Sequence, residues 1–270
     1  MIDLEHHQRE LEERGITSVR GLISPVRVKA ARDMIYEIAQ NHGLHTIDGW
    51  QRSESRFGVD KSFRSALNSL NRSDSFPNLI DDSLVDLTRR LVGDQISRMP
   101  PGPQILFSLP VSAGWSVPHD VWHVDVPRLG TPDLPGLQVF TFLETVAPQG
   151  GGTLIVAGSH RLANNSGVTR SKDLKHKLGR ELYFRTLFNS ERAPISDLSE
   201  TTGEVDGVDL EIIELTGEVG DVYLMDLRTL HTPAPNASDT ARIMLTCRFP
   251  KTAIASTLWN QDAMAARPAG

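Results

Sequence analysis

The chain of 270 residues is 39% hydrophobic and 23% charged, enough to bury a substantial core beneath an ordinary polar surface. Its net charge of −6 argues against a broad nucleic-acid-binding face, though not against a small basic pocket for an acidic ligand. One cysteine, Cys247, excludes an intrachain disulfide and a Cys-rich metal site. No apolar run approaches the length of a membrane span, and the charged start MIDLEHHQRELEERG lacks an apolar signal core, so cytoplasmic residence is expected.

Taken in chain order, the first hundred residues read mainly as helix and loop. Leu4 to Arg14 is a polar helix that stops at Gly15, and Ile16 to Ile23 is a short strand. Ser24-Pro25 opens a helix running to about Asn41, serine suiting the N-cap and proline the first turn. Gly43 is placed to end it, and His42 to Phe57 looks irregular. A second helical pattern covers Phe76 to Val92, with Pro77 near its start. After Pro100-Pro101-Gly102-Pro103 the texture changes. Short apolar runs alternate with Gly and Pro turns: Gln104–Leu109, Gly136–Leu143, Thr153–Val156, Leu210–Leu215, Val222–Leu227 and Ile243–Phe249. That rhythm indicates an antiparallel sandwich or jelly roll. The chain therefore reads as one catalytic domain over 1–270, with a helical section of about 1–100 packed on a β core of about 101–250.

The sharpest motif is Trp122-His123-Val124-Asp125. In extended backbone His123 and Asp125 point one way and Val124 the other, so imidazole and carboxylate can approach one ion together. Two histidines and a carboxylate on one side of iron(II) leave open positions for a co-substrate and O₂. His-x-Asp alone arises readily by chance in a chain with nine histidines. The downstream context adds weight: His231 follows a strand, and Arg242 lies on a strand returning after a turn marked by Pro233, Pro235 and Asn236. Arginine there can clamp a carboxylate through two hydrogen bonds, or form an ordinary surface ion pair.

The ordered set His123-x-Asp125, Gly150-Gly151-Gly152-Thr153, Gly158-Ser159-His160, Gly220-Asp221, His231 and Arg242 resembles the phytanoyl-CoA dioxygenase family, a group of iron(II)/2-oxoglutarate oxygenases. The resemblance spans roughly residues 12 to 250 and includes the stretch from Gly15-Ile16 to Ile23-Ser24. It implies a mainly β protein with flanking helices, built as a double-stranded β-helix of the jelly-roll, cupin-like type. It implies Fe(II) held by His123, Asp125 and His231, with 2-oxoglutarate and O₂ as co-substrates and Arg242 on the distal carboxylate. Succinate and CO₂ are the implied co-products, and hydroxylation of a C–H bond is the default outcome. Related halogenases replace the carboxylate ligand with a small residue, so Asp125 disfavours halogenation; desaturation, epoxidation, cyclisation and epimerisation stay open. The expected partner is a small-molecule metabolite, with natural-product biosynthesis the leading setting, and neither nucleic acid nor membrane.

Around this set, alternation groups Gln138, Phe140 and Phe142 on one strand face. The resemblance places Gln138 and Phe140 towards the co-substrate, while Gln104 can reach inward from the preceding strand; the aromatic pair can equally be core. Trp122 either covers the site or packs behind the sheet. His119 ranks behind His231 as a third ligand, and the resemblance makes His160 structural or pocket-edge. His6, His7, His42, His45 and His176 read as solvated, Asp221 as a turn residue, and Cys247 as buried core. The polar stretch Arg161 to Gly207 is either an amphipathic helix packed on its apolar side or a lid over the metal mouth. Two other readings remain: a cupin-like metal enzyme that does not use 2-oxoglutarate, and a non-catalytic binding protein on the same scaffold. Arg242 and the Gly-Ser-His turn weigh against the first, and the complete ligand set against the second.

Overall fold

Local signals set the helices of the computed structural model, which describes residues 2–70, 79–99, 102–125, 133–162, 171–256 and 258. Asp3 caps α1 (Leu4–Arg14) by accepting the His6 amide, and Gly15, at φ 74°, ends it with its N–H on the Leu11 carbonyl. Pro25 begins α2 (Pro25–Asn41) as expected, although the Ser24 side chain makes no capping bond. A helix not anticipated from the sequence, α3 (Lys61–Leu70), follows Asp60, whose carboxylate accepts the Phe63 amide; Phe63, Leu67 and Leu70 form its buried stripe. The next, α4 (Asp82–Val92), begins later than the apolar pattern suggested because Asp81 supplies the cap. Residues 76–78 of that expected helix lie outside the described residues.

Two antiparallel sheets follow. The larger has the order β1 (Ile16–Val19), β9 (Val222–Asp226), β5 (Gly136–Phe142), β11 (Arg242–Pro250) and β4 (Gln104–Ser108). The smaller has the order β10 (His231–Pro233), β6 (Thr153–Ala157), β8 (Val208–Glu214) and β7 (Gly203–Val205). All six expected core strands are present with small boundary shifts, whereas β1 stops at Val19, well short of Ile23. His45 to Trp50, read as irregular, holds the small hairpin β2 (His45–Thr46) and β3 (Gly49–Trp50).

Alternation sorts the side chains into three apolar layers. Val139, Leu224, Ile243, Leu245 and Cys247 face outward from the larger sheet and pack under α2, α3 and α4. Phe140, Phe142, Ile155, Met225 and Met244 meet between the sheets. Leu154, Val156, Leu210 and Ile212 face outward from the smaller sheet against Leu174, Leu178, Phe184 and Leu187, which come from α5 (Ser171–Leu178) and α6 (Leu182–Leu187). The packing is that of a double-stranded β-helix. His7, His42 and His45 are not solvated as their polar contexts suggested. His7 is buried against Thr17, His42 meets the Phe63 ring, and His45 sits beside Tyr36 and Trp50.

The glycine motifs have structural causes. Gly151 lies at φ 80°, and a Cβ there would come within 2.7 Å of Asn236 Cβ; at Gly152 it would meet the Leu215 carbonyl oxygen at 2.2 Å. The turn is tied down by Glu214, a buried carboxylate that accepts the Gln149 and Gly152 amides at 2.7 and 3.1 Å and whose pKa burial pushes up. In the Gly-Ser-His turn, Gly158 donates to the Arg14 carbonyl and His160 Nε2 meets the Glu12 carbonyl, joining the end of α1 to β6. Asp221 is the turn residue expected: it accepts the Gly21 and Glu218 amides and pairs with Arg20.

Candidate metal centre

Strands of both sheets and the 121–125 segment bring the site together. The 121–125 segment is not a full strand; it makes a single antiparallel bridge in which His123 and His231 exchange backbone hydrogen bonds of 2.9 Å in both directions. That bridge sets the imidazoles side by side, with ring centroids 4.4 Å apart. The preceding residue, Leu230, is held by two bonds: its N–H reaches Ser159 Oγ at 2.9 Å and its carbonyl accepts the Val156 amide. The Gly-Ser-His turn thereby positions His231. Val124 points into the apolar layer behind the smaller sheet, as alternation requires. Trp122 packs there too, with Nε1 donating to the Pro118 carbonyl, so it lies behind the sheet and does not cover the site.

Asp125 lies between the two rings, with Oδ1 3.4 Å from His123 Nε2 and Oδ2 3.6 Å from His231 Nε2. Both Nδ1 atoms face carbonyl oxygens, His123 on Val121 at 2.7 Å and His231 on Thr229 at 3.0 Å. A carbonyl can only accept, so each Nδ1 carries a proton and each Nε2 faces Asp125. Carbonyl partners of this kind fix metal-binding tautomers. Metal bonds of about 2.0–2.2 Å at right angles separate adjacent ligand atoms by about 3 Å, close to the spacings here. Val121 adopts φ 58°, unusual for a β-branched residue, and thereby turns its carbonyl to His123. Burial alone would raise the Asp125 pKa, but the two histidines and Arg248 hold it well below the usual carboxylate range. Burial would lower the His123 pKa, yet its contact with Asp125 raises it.

This trio opens on a cavity of about 390 Å³ between the sheets, lined also by Gln104, Gln138, Phe140, Thr153, Arg242, Thr246 and Arg248. The residues that the sequence singled out therefore share one space. Gln138 donates to Asp125 Oδ2 at 2.6 Å and to Thr246 Oγ1 at 3.1 Å, while Gln104 accepts from Arg248. Both act on the site's polar network, and Phe140 forms an apolar wall that also belongs to the core between the sheets. Phe142 belongs to that core as well and does not line the cavity.

Arg242 is fully enclosed. Its Nε donates to Ser108 Oγ at 3.2 Å, its Nη1 lies 4.0 Å from Met244 Sδ, and no carboxylate among the described residues pairs with it. Burial pushes its pKa down to about 10, so the guanidinium remains charged at neutral pH. A buried charge with only neutral neighbours is costly until an anion joins it. The cavity thus brings together three side chains that could hold a metal ion and a buried arginine with no carboxylate partner among the described residues, a set that suits an ion and a dicarboxylate bound together.

The far wall was not foreseen. Arg56, Phe57, Val59, Arg64, Leu67 and Asn68 line it, from the loop before α3 and from α3 itself. Arg56 pairs with Asp120 at 2.6 Å, and Arg64 donates to the Phe57 carbonyl. Arg248 was missed as well, although it shares a strand face with Arg242 at even spacing, a signal present in the sequence. Conversely, no described residue of 161–207 lines the cavity. Tyr183, Phe184 and Phe188 belong to the layer outside the smaller sheet, so the packing reading holds for these residues, while 163–170 of the stretch lie outside the described residues. His119 is exposed and away from the trio, and His160 is buried outside the cavity. One other group of possible ligands, His6, His7 and Glu10, sits on α1, where Thr17 already bonds His7 and Glu10.

Comparison with known proteins identifies the family and the fold. The family described as Phytanoyl-CoA dioxygenase (PhyH) matches residues 11–244. A comparison with curated proteins found no match. Among solved structures, AviO1 from Streptomyces viridochromogenes Tue57 is 16% identical, with a TM-score of 0.56, covering 94% of this chain and 97% of its own. The non-heme alpha ketoglutarate dependent carbocyclase SnoK from nogalamycin biosynthesis is 19% identical at a TM-score of 0.53, covering 92% and 83%. HygX from Streptomyces hygroscopicus, solved with nickel and 2-oxoglutarate, is 14% identical at 0.54, covering 93% and 88%. At these identities the likeness is one of fold.

Proposed function

We propose that this chain, which belongs to the phytanoyl-CoA dioxygenase family of non-haem iron(II)/2-oxoglutarate-dependent dioxygenases, hydroxylates a small-molecule metabolite of natural-product biosynthesis. His123, Asp125 and His231 hold Fe(II), and Arg242 holds the distal carboxylate of 2-oxoglutarate. The observation that carries the assignment is the buried Arg242, without an acidic partner among the described residues, in the same cavity as two imidazoles whose Nε2 atoms converge on one carboxylate. The metal with 2-oxoglutarate supplies the oxidising power: O₂ and the co-substrate are consumed, succinate and CO₂ leave, and one oxygen atom enters a substrate C–H bond.

The protein's own part is positional. The Val121 and Thr229 carbonyls hold both Nδ1 atoms and so aim each Nε2 at the ion. Arg242 fixes the reach of the co-substrate along β11, and Phe140 with Leu106 excludes water from one side. The wall from Arg56 to Asn68 orients the substrate. Asp125 favours hydroxylation over halogenation because the carboxylate keeps its ligand position. The fold also serves a carbocyclase, SnoK, so ring closure is the nearest alternative outcome. The reading takes the chain as one catalytic domain working in the cytoplasm; no described helix is long and apolar enough to cross a membrane.

The test is anaerobic loading with iron(II), then addition of 2-oxoglutarate, O₂ and candidate metabolites, with succinate and oxidised product both quantified. Equimolar succinate and hydroxylated product, lost in His231→Ala, is the expected result. Product formed without 2-oxoglutarate consumption would transfer the chain to the cupin-like metal enzymes. Metabolite binding without either product would make it a binding protein.

A further inference from the structure

On its cavity side β11 presents Arg242, Met244, Thr246 and Arg248 at alternate positions. The two arginines are treated oppositely. Arg242 has only neutral neighbours, whereas Arg248 is committed to Asp125, with Nε and Nη2 at 2.9 and 2.6 Å from the same oxygen, Oδ2. Its third nitrogen, Nη1, donates to Gln104 Oε1 at 3.0 Å, across from Thr246 on the neighbouring strand. A third donor reaches Oδ2 from Gln138, which stands directly opposite Arg248 in the β5–β11 register. Gln138 is itself oriented, since its amide also donates to Thr246 Oγ1, whose hydroxyl donates to the Val139 carbonyl.

We infer that Arg248 is a positioning residue for the metal carboxylate: with Gln138 it saturates Asp125 Oδ2 and leaves Oδ1 to be presented to the ion. The inference rests on the metal site proposed above. An aspartate has one freely turning carboxylate, and without anchoring it can offer either oxygen or both. Donors on one oxygen fix both the rotation of the group and the ligand atom. Gln104 extends the device by holding the guanidinium from its far side, so the network spans β4, β11, β5 and the 121–125 segment.

Charge alone predicts the reverse consequence. A guanidinium beside a cation site repels the incoming ion, so its removal should tighten binding. The experiment separates the two effects. Nickel(II), which is not oxidised by air, is titrated calorimetrically into the metal-stripped full chain, and cobalt(II) absorption reports the ligand field. The variants are Arg248→Met, Arg248→Lys, Gln104→Leu and Asp125→Ala. Binding that disappears in Asp125→Ala defines the site and separates it from any ion held by His6 and His7.

The expected result for Arg248→Met is nickel affinity about 10–100-fold weaker, the range for losing a group that orients a ligand, with a changed cobalt spectrum. Arg248→Lys restores part of both, and Gln104→Leu shifts both in the same direction by less. Unchanged or tighter nickel binding with an unchanged cobalt spectrum in Arg248→Met overturns the inference. Should that variant fail to fold, the same outcome in Gln104→Leu overturns it. Wild-type protein that binds no nickel, or binding that keeps its wild-type affinity in Asp125→Ala, removes the metal site itself and the functional reading with it.

Discussion

Two stretches outside the sheets, 56–68 and 171–188, have similar ingredients and opposite fates. Each mixes arginine or lysine with phenylalanine and leucine, and each forms helix in part. The first walls the cavity through Arg56, Phe57, Arg64 and Leu67. The second buries Leu174, Leu178, Phe184 and Leu187 against the outside of the smaller sheet. Connectivity makes the difference. The second stretch leaves β6 and returns to β7, both in the smaller sheet, so its shortest course runs over that sheet's outer face. The first runs from the β2–β3 hairpin towards α4, and α3 packs against β4, the edge strand of the larger sheet, where it can reach the gap between the sheets. An amphipathic helix has an apolar face to bury in either place, so its composition does not reveal which surface receives it.

The sharpest division between cavity and outer layer is expected at Arg242. Replacing it by alanine removes one partner of a buried charge pair in the proposed complex, a loss of about 2–5 kcal/mol, or roughly 30- to 4000-fold in 2-oxoglutarate affinity. Nickel binding should stay near wild type. Arg242→Lys keeps the charge without the planar fork and should fall between. Unchanged co-substrate dependence of succinate formation in Arg242→Ala would remove the clamp.

Next in size is Phe184→Ala, in the outer layer. Phe184 is fully buried, and its truncation should cost about 3–5 kcal/mol of stability, read from the urea midpoint. Whatever protein stays folded should keep the wild-type ratio of succinate to product. A stability loss joined to uncoupled turnover would place the second stretch in the site after all.

A smaller effect is expected at Phe57, whose ring lines the cavity while 46% exposed. Phe57→Ala should leave stability within about 0.5 kcal/mol yet raise succinate formed per product formed several-fold, because the substrate is held less well. The smallest effect is a null one: Tyr183→Phe, Arg185→Ala and Phe188→Leu should change that ratio by less than about two-fold, the loss of a remote contact being worth a few tenths of a kcal/mol. Equal coupling in the Phe57 and Tyr183 variants would erase the distinction between the two stretches.

What the sequence determined by itself was local or periodic. Pro25 and Gly15 marked helix ends because caps and fixed dihedrals act within a few residues. Short apolar runs between Gly and Pro turns placed β5 and β11, and period-two alternation put Gln138 and Phe140 on one face. His123, Asp125, His231 and Arg242 were legible from their order and spacing, since their chemistry restricts the residue types that can serve. Arg248 and α3 also left readable signs, even spacing from Arg242 and an Asp60 cap before an apolar stripe, that did not stand out from many similar patterns. Tertiary structure alone decided the rest. It set the bridge that pairs His123 with His231, the burial of Arg242 without an acid, the commitment of Arg248 to Asp125, and which sheet face each helical stretch covers. Each depends on groups far apart in the chain, and an arginine on the same strand face has an acidic or a neutral partner according to what the neighbouring strands and loops bring opposite it.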